Sequence, residues 1–124
     1  MTRSKRNTKL TLDDIGGKVV KDNETYLLKD NTTLNNLVVS STNLNPFKRT
    51  TGHSHAGQEE VYIFVKGSGV MKIDDDMFPV KEGDTILIED GQFHQVINDT
   101  PYALYFVCVF DAVSYTHLTL PTKA

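Results

Sequence analysis

Apolar residues along this chain come in short alternating runs, and most runs are bounded by glycine, asparagine or aspartate. Alternation with period two sends successive side chains to opposite faces of an extended segment, so these runs predict half-buried β-strands. The best series is Val61 to Val65, Val70 to Ile73, Met77 to Val80, Thr85 to Ile88, His94 to Ile97 and Ala103 to Phe110. Between them lie Gly67-Ser68-Gly69, Asp74 to Asp76, Gly83-Asp84 and Glu89-Asp90-Gly91, all turn-forming. Gly67-Ser68-Gly69 is expected to close a hairpin between the first two strands of the series. Upstream, Asn36 to Thr42 reads as a strand bent off by Asn45-Pro46, while Lys9 to Leu12, Lys18 to Val20 and Glu24 to Leu28 read as edge strands. No stretch makes a convincing helix. Many short strands separated by turns predict an all-β sandwich or small barrel.

Length and charge narrow the picture without naming a function. A chain of 124 residues, 39% of them hydrophobic, is long enough for one core and too short for two. With 13 basic and 16 acidic side chains, no strong positive field exists to hold nucleic acid or an anionic membrane. The basic opening, Arg3, Lys5, Arg6 and Lys9, reads as a solvated tail. The start lacks the apolar stretch of a signal peptide and no segment is long enough to span a bilayer, so a soluble, cytoplasmic protein is expected. The single cysteine, Cys108, sits in an apolar run and reads as a small core residue.

Candidate chemistry is concentrated between Gly52 and Gly69, with a second stretch from Gly83 to Asn98. His53 and His55 are one residue apart and share a side if that segment is extended. They are placed to share one metal, with a carboxylate from the pair Glu59 and Glu60 and a further imidazole from His94. Imidazoles with a carboxylate suit Fe, Mn, Ni, Co or Zn as the divalent ion. The final stretch, VSYTHLTLPTKA, continues no strand pattern and resembles the in-frame translation of a sequencing adapter. It is therefore set apart, and His117 with it.

Both stretches resemble the paired motifs of the cupin superfamily. The first motif, His-x-His followed by Glu and then Gly at fixed intervals, is carried by His53, His55, Glu60 and Gly67. Its spacing to Gly67 implies Glu60 as the ligand, with Glu59 facing the other way. The second is carried by Gly83, Gly91, His94 and Asn98, with Glu89 standing where proline is usual. The resemblance implies a double-stranded β-helix, or jelly-roll barrel, commonly a homodimer, with His53, His55, Glu60 and His94 around one divalent metal at its mouth. On that basis residues 1–34 are a tail and edge strands, 35–111 the barrel, and 112–124 an adapter-like or disordered tail.

A narrower likeness bears on activity. Thr50, Gly52, His53, His55, Glu60, Val61, Tyr62, Gly67, Gly69 and Met71 together resemble the archaeal cupin-type glucose-6-phosphate isomerases. That resemblance implies a small-molecule substrate such as a sugar phosphate. Thr50 and Gly52 would hold the phosphate, Tyr62 would contact the sugar as a catalytic and binding residue, and the metal would stabilise an enediolate. Two alternatives remain beside the isomerase: an Fe(II)-dependent cupin dioxygenase, and a non-enzymatic module that binds a sugar or small anion.

Overall fold

A computed structural model describes residues 9–112 of the chain. The basic residues of the opening before Lys9 and the adapter-like stretch from Val113 onward lie outside the described residues. The element order is β1 (Lys18–Asp22), β2 (Tyr26–Asn31), β3 (Leu37–Leu44), β4 (Glu60–Lys66), β5 (Ser68–Ile73), β6 (Asp76–Lys81), β7 (Thr85–Ile88), β8 (His94–Ile97) and β9 (Leu104–Asp111). All strand pairs are antiparallel. The larger sheet runs β1-β2-β3-β9-β4-β7 and the smaller one β6-β5-β8. No helix among the described residues is long and apolar enough to cross a membrane.

The inner faces follow from the pairing register. Glu60, Tyr62 and Phe64 alternate with half-buried Val61 and Ile63 along β4, so the first set points inward. Tyr62 lies opposite Cys108 of β9, which lies opposite Ser40 of β3. One step along, Phe64 is opposite Phe106, and Phe106 opposite Thr42. Apolar residues of both sheets, including Leu28, Phe64, Met71, Val96, Leu104 and Phe106, merge into one buried cluster. Tyr62, Phe64 and Phe106 form its aromatic centre, with ring centroids 5.3 to 6.4 Å apart, a spacing at which aromatic pairs attract beyond their buried area.

Two expectations from the sequence need correction. Residues Lys9 to Leu12 do not form a strand: Thr11 and Asp14 close a turn on each other through N–H to carbonyl bonds of 3.2 and 3.4 Å. The segment is strapped to the larger sheet by Asn31, whose Nδ2 donates to the Ile15 carbonyl at 2.7 Å, leaving Ile15 2% exposed. Nor do β4 and β5 pair as a hairpin. The chain crosses from one sheet to the other at Gly67, where φ is 88° and a Cβ would come within 2.6 Å of the Ala103 carbonyl oxygen. A β-bulge between Phe64 and Lys66 precedes that corner, turning the strand away from the pairing a tight hairpin needs.

Asn98, the last residue of the second motif, is 1% exposed and ties the turn after β8 to the end of β3. Its Nδ2 donates to the carbonyls of Leu44, Asn45 and Tyr102 at 3.2, 3.1 and 2.7 Å. Its Oδ1 accepts from the Thr100 N–H and hydroxyl. Truncation strands buried acceptors, so Asn98→Ala is expected to cost about 2 kcal/mol or more of stability. Denaturant unfolding checks this; an unchanged midpoint would contradict it.

Candidate metal centre

His53, Glu60 and His94 meet at one end of the barrel. Glu60 opens β4 and His94 opens β8, and both are buried. His53 is held by an isolated antiparallel bridge to His94, in which each backbone N–H donates to the other's carbonyl at 3.2 and 3.0 Å. The bridge sets the rings edge to face, 4.5 Å between centroids. One potential ligand atom from each of the three residues lies within 4.8 Å of the others. Bonds of about 2.0–2.2 Å to one ion separate its ligands by roughly 3–4.4 Å, so small side-chain adjustments suffice.

The hydrogen bonds of the two rings decide which nitrogen is available. His53 Nδ1 lies 3.3 Å from the Thr51 carbonyl oxygen, and His94 Nδ1 lies 3.1 Å from that of Gln92. A carbonyl only accepts, so both Nδ1 atoms carry the proton. The Nε2 atoms are thereby left to face inward, buried and without a hydrogen-bond partner. His94 Nε2 is 3.6 Å from Glu60 Oε2, too far for a hydrogen bond. Burial, reinforced by neighbouring His94, pushes the His53 imidazole down to about 4. His53 is therefore neutral near pH 7, the form that ligates a metal. Inward Nε2 lone pairs beside a buried carboxylate are a donor set compatible with a cation. The residues fit a divalent ion, with His53, Glu60 and His94 to hold it.

The remaining residues singled out in the sequence are placed as follows. His55 is half-buried with its ring centroid 4.8 Å from that of His53, beside the three-residue set but outside it. Its backbone is pinned through the Gly91 N–H, which donates to the His55 carbonyl at 3.2 Å. Glu59 is exposed and faces an outer cleft of about 420 Å³ that also bears Asp90 and Asp111. Glu89 fills the usual proline position with a bond that proline has no donor to make, its N–H donating to Gln92 Oε1 at 2.9 Å. Thr50 is buried, and its hydroxyl accepts from the Val96 N–H at 3.0 Å. Gly52 leaves room for the Phe93 ring, which an added Cβ would strike. Tyr62 stacks on Phe106 with its ring centroid 5.7 Å from that of His94. Burial, with Cys108 and Glu60 nearby, raises its phenol well above 10. The orienting carbonyls of Thr51 and Gln92 carry no sequence signal, since any residue supplies a carbonyl.

Residues 42–110 match the cupin domain family. The chain is a cupin. An uncharacterized protein of Methanocaldococcus jannaschii is 37% identical over 60 residues, 48% of this cupin and 48% of that protein; the matched stretch thus spans about half of the relative's length. Among solved structures, an uncharacterized conserved protein with a double-stranded β-helix domain from Klebsiella pneumoniae superposes with a TM-score of 0.73 at 19% identity, covering 86% of this chain and 90% of that one. A predicted oxalate decarboxylase from Thermotoga maritima gives 0.65 at 22% identity, covering 69% and 79%. At such identities these structures speak for the fold alone, the double-stranded β-helix that the motifs implied.

The depressed His53 makes the metal-free protein sensitive to acid. Between the ordinary 6.5 and about 4, the unfolded chain takes up a proton at His53 that the folded chain refuses. Stability is therefore full above that window and falls as the pH drops through it. Melting temperatures across this range in chelator should decline with acid in the wild type and decline less in His53→Ala. A variant with the same decline would exclude His53 as the source.

Proposed function

We propose that this cupin binds one divalent transition metal through His53, Glu60 and His94, with His55 as a fourth ligand, and acts on a small molecule bearing adjacent carbonyl and hydroxyl oxygens. The aldose–ketose isomerase is the reaction type. The observation that carries the metal reading is the pair of buried Nε2 atoms facing the Glu60 carboxylate. A divalent ion supplies a Lewis acid for the oxygens of such a substrate.

The chain's own residues would divide the remaining work. Glu60 and the histidines hold the ion, the Thr51 and Gln92 carbonyls keep both Nδ1 protons in place, and the barrel interior excludes bulk water. Tyr62 stays protonated at physiological pH because its phenol is shifted upward, so it acts as a hydrogen-bond donor and not as a base. The interior cavity between Tyr62 and Glu60 measures only about 20 Å³. A sugar would therefore approach from the half-buried His53 and His55 side. The phosphate-holding role of Thr50 and Gly52 rests on the family resemblance, since Thr50 Oγ1 already accepts from Val96. The acidic outer cleft beside Glu59 and Asp90 favours a neutral sugar over a phosphorylated one on that side.

An anaerobic screen of aldoses and their phosphates with Mn(II), Fe(II) or Zn(II) tests the proposal. Interconversion with more than one metal is expected, abolished in His94→Ala; the buried Tyr62 faces a space too small for a sugar, so Tyr62→Phe should leave turnover within a few fold of wild type. Turnover only with iron, accompanied by O₂ uptake, would replace the isomerase with a dioxygenase. Sugar or anion binding without turnover would make the protein a binding module.

A further inference from the structure

The aspartates of the turn between β5 and β6, Asp74 to Asp76, lie on the surface, yet one of them reaches the metal centre through a single peptide unit. β5 ends at Ile73, which pairs with His94, the first residue of β8. Beyond that pair Asp74 turns the chain with a φ of 52°, a left-handed conformation that aspartate tolerates better than most residues. Asp74 and Phe93 exchange bonds in both directions. The Asp74 N–H donates to the Phe93 carbonyl at 2.9 Å, and the Phe93 N–H donates to Asp74 Oδ1 at 3.0 Å. A carboxylate thus stands where an antiparallel ladder ordinarily supplies a backbone carbonyl. Its other oxygen, Oδ2, accepts from Gln92 Nε2 at 3.4 Å, so Asp74 holds the residues on both sides of one peptide bond.

That bond, between Gln92 and Phe93, carries at its far end the carbonyl to which His94 Nδ1 donates at 3.1 Å. In a trans peptide the N–H and the C=O point in opposite directions. An anion on the N–H polarises the whole unit and makes the carbonyl a better acceptor. We propose that Asp74 is a positioning residue for the metal site: through the Gln92–Phe93 peptide it keeps the His94 proton on Nδ1 and aims the Nε2 lone pair at the ion. The inference rests on the metal reading above. Asp74 touches neither ion nor substrate. Groups directly behind a metal-ligating imidazole change affinity by about 10–100-fold when removed, and Asp74 stands one bond further back and in solvent, so the low end of that range is expected.

The test pairs Mn(II) titration with nitrogen NMR of the imidazoles in the metal-free protein, at a pH where the rings are neutral. Glycine takes a positive φ without strain, so Asp74→Gly removes the carboxylate and keeps the turn. In the wild type His94 should be the Nδ1–H tautomer alone. In Asp74→Gly the Nε2–H tautomer should appear beside it, and Mn(II) affinity should fall about tenfold. Asp74→Asn, which keeps a neutral acceptor for the Phe93 N–H, should stay within a few fold of wild type. Asp75→Asn, which removes a charge from the same turn, should match wild type. Wild-type affinity and tautomer in Asp74→Gly overturn the inference and leave the metal site standing. An equal loss in Asp75→Asn also overturns it, by reducing the effect to surface charge. Wild-type protein that binds no Mn(II) overturns the metal reading itself, a failure seen before any variant is compared.

Discussion

Two imidazole lone pairs and a carboxylate share a buried space at the end of this barrel, and that crowding constrains the structure around it. His94 Nε2 stands 3.6 Å from Glu60 Oε2 without a hydrogen bond between them. Uncompensated groups of this kind inside a protein are expensive. An arrangement that costs folding free energy and is compatible with a divalent cation is what a binding site is expected to look like, since sites are built where stability is given up for function. The acid sensitivity assigned to His53 has a related origin: burial, reinforced by His94 and opposed by Glu60, disfavours its charged form.

The barrel holds these groups in place through its backbone more than through side-chain packing. His53 belongs to no named strand, yet the bridge to His94 fixes it as firmly as a ladder position would. The loop that follows is anchored at the Gly57 N–H, which donates to Asp90 Oδ1 at 2.6 Å, and at the His55 carbonyl, which accepts from Gly91. Both anchors lie in the turn between β7 and β8. The two motifs, separate in the chain, are thus stitched directly to each other, and the ion would bind across that seam. Asn98 does the same for the turn after β8, which it joins to the end of β3.

Much of this was legible in the sequence. Alternation located β7 and β8 to the residue, because Thr85 to Ile88 and His94 to Ile97 are short and sharply bounded by turns. Of the four ligand candidates His53, His55, Glu60 and His94, which stood out because imidazoles and carboxylates are chemically distinctive, the structure brings His53, Glu60 and His94 together. Pairing partners were less so. Val61 to Val65 and Val70 to Ile73 look like a hairpin across Gly67-Ser68-Gly69, yet they belong to different sheets, since alternation specifies which face is buried and not which neighbour buries it. The Lys9 to Leu12 stretch has strand composition, but the hydrogen-bonding of Thr11 and Asp14 turned it into a loop. The inward placement of Ser40 and Thr42 was hidden for a similar reason: their strand is recognisable, while the interior they face exists only once β4 and β9 are alongside.

The central claim is that His53, Glu60 and His94 hold a divalent metal, and elemental analysis of protein purified without an affinity tag tests it most directly. The account predicts one transition-metal ion per chain, present on isolation or after reconstitution and lost when His94 is replaced by alanine. Folded protein that takes up no metal under either condition would contradict it.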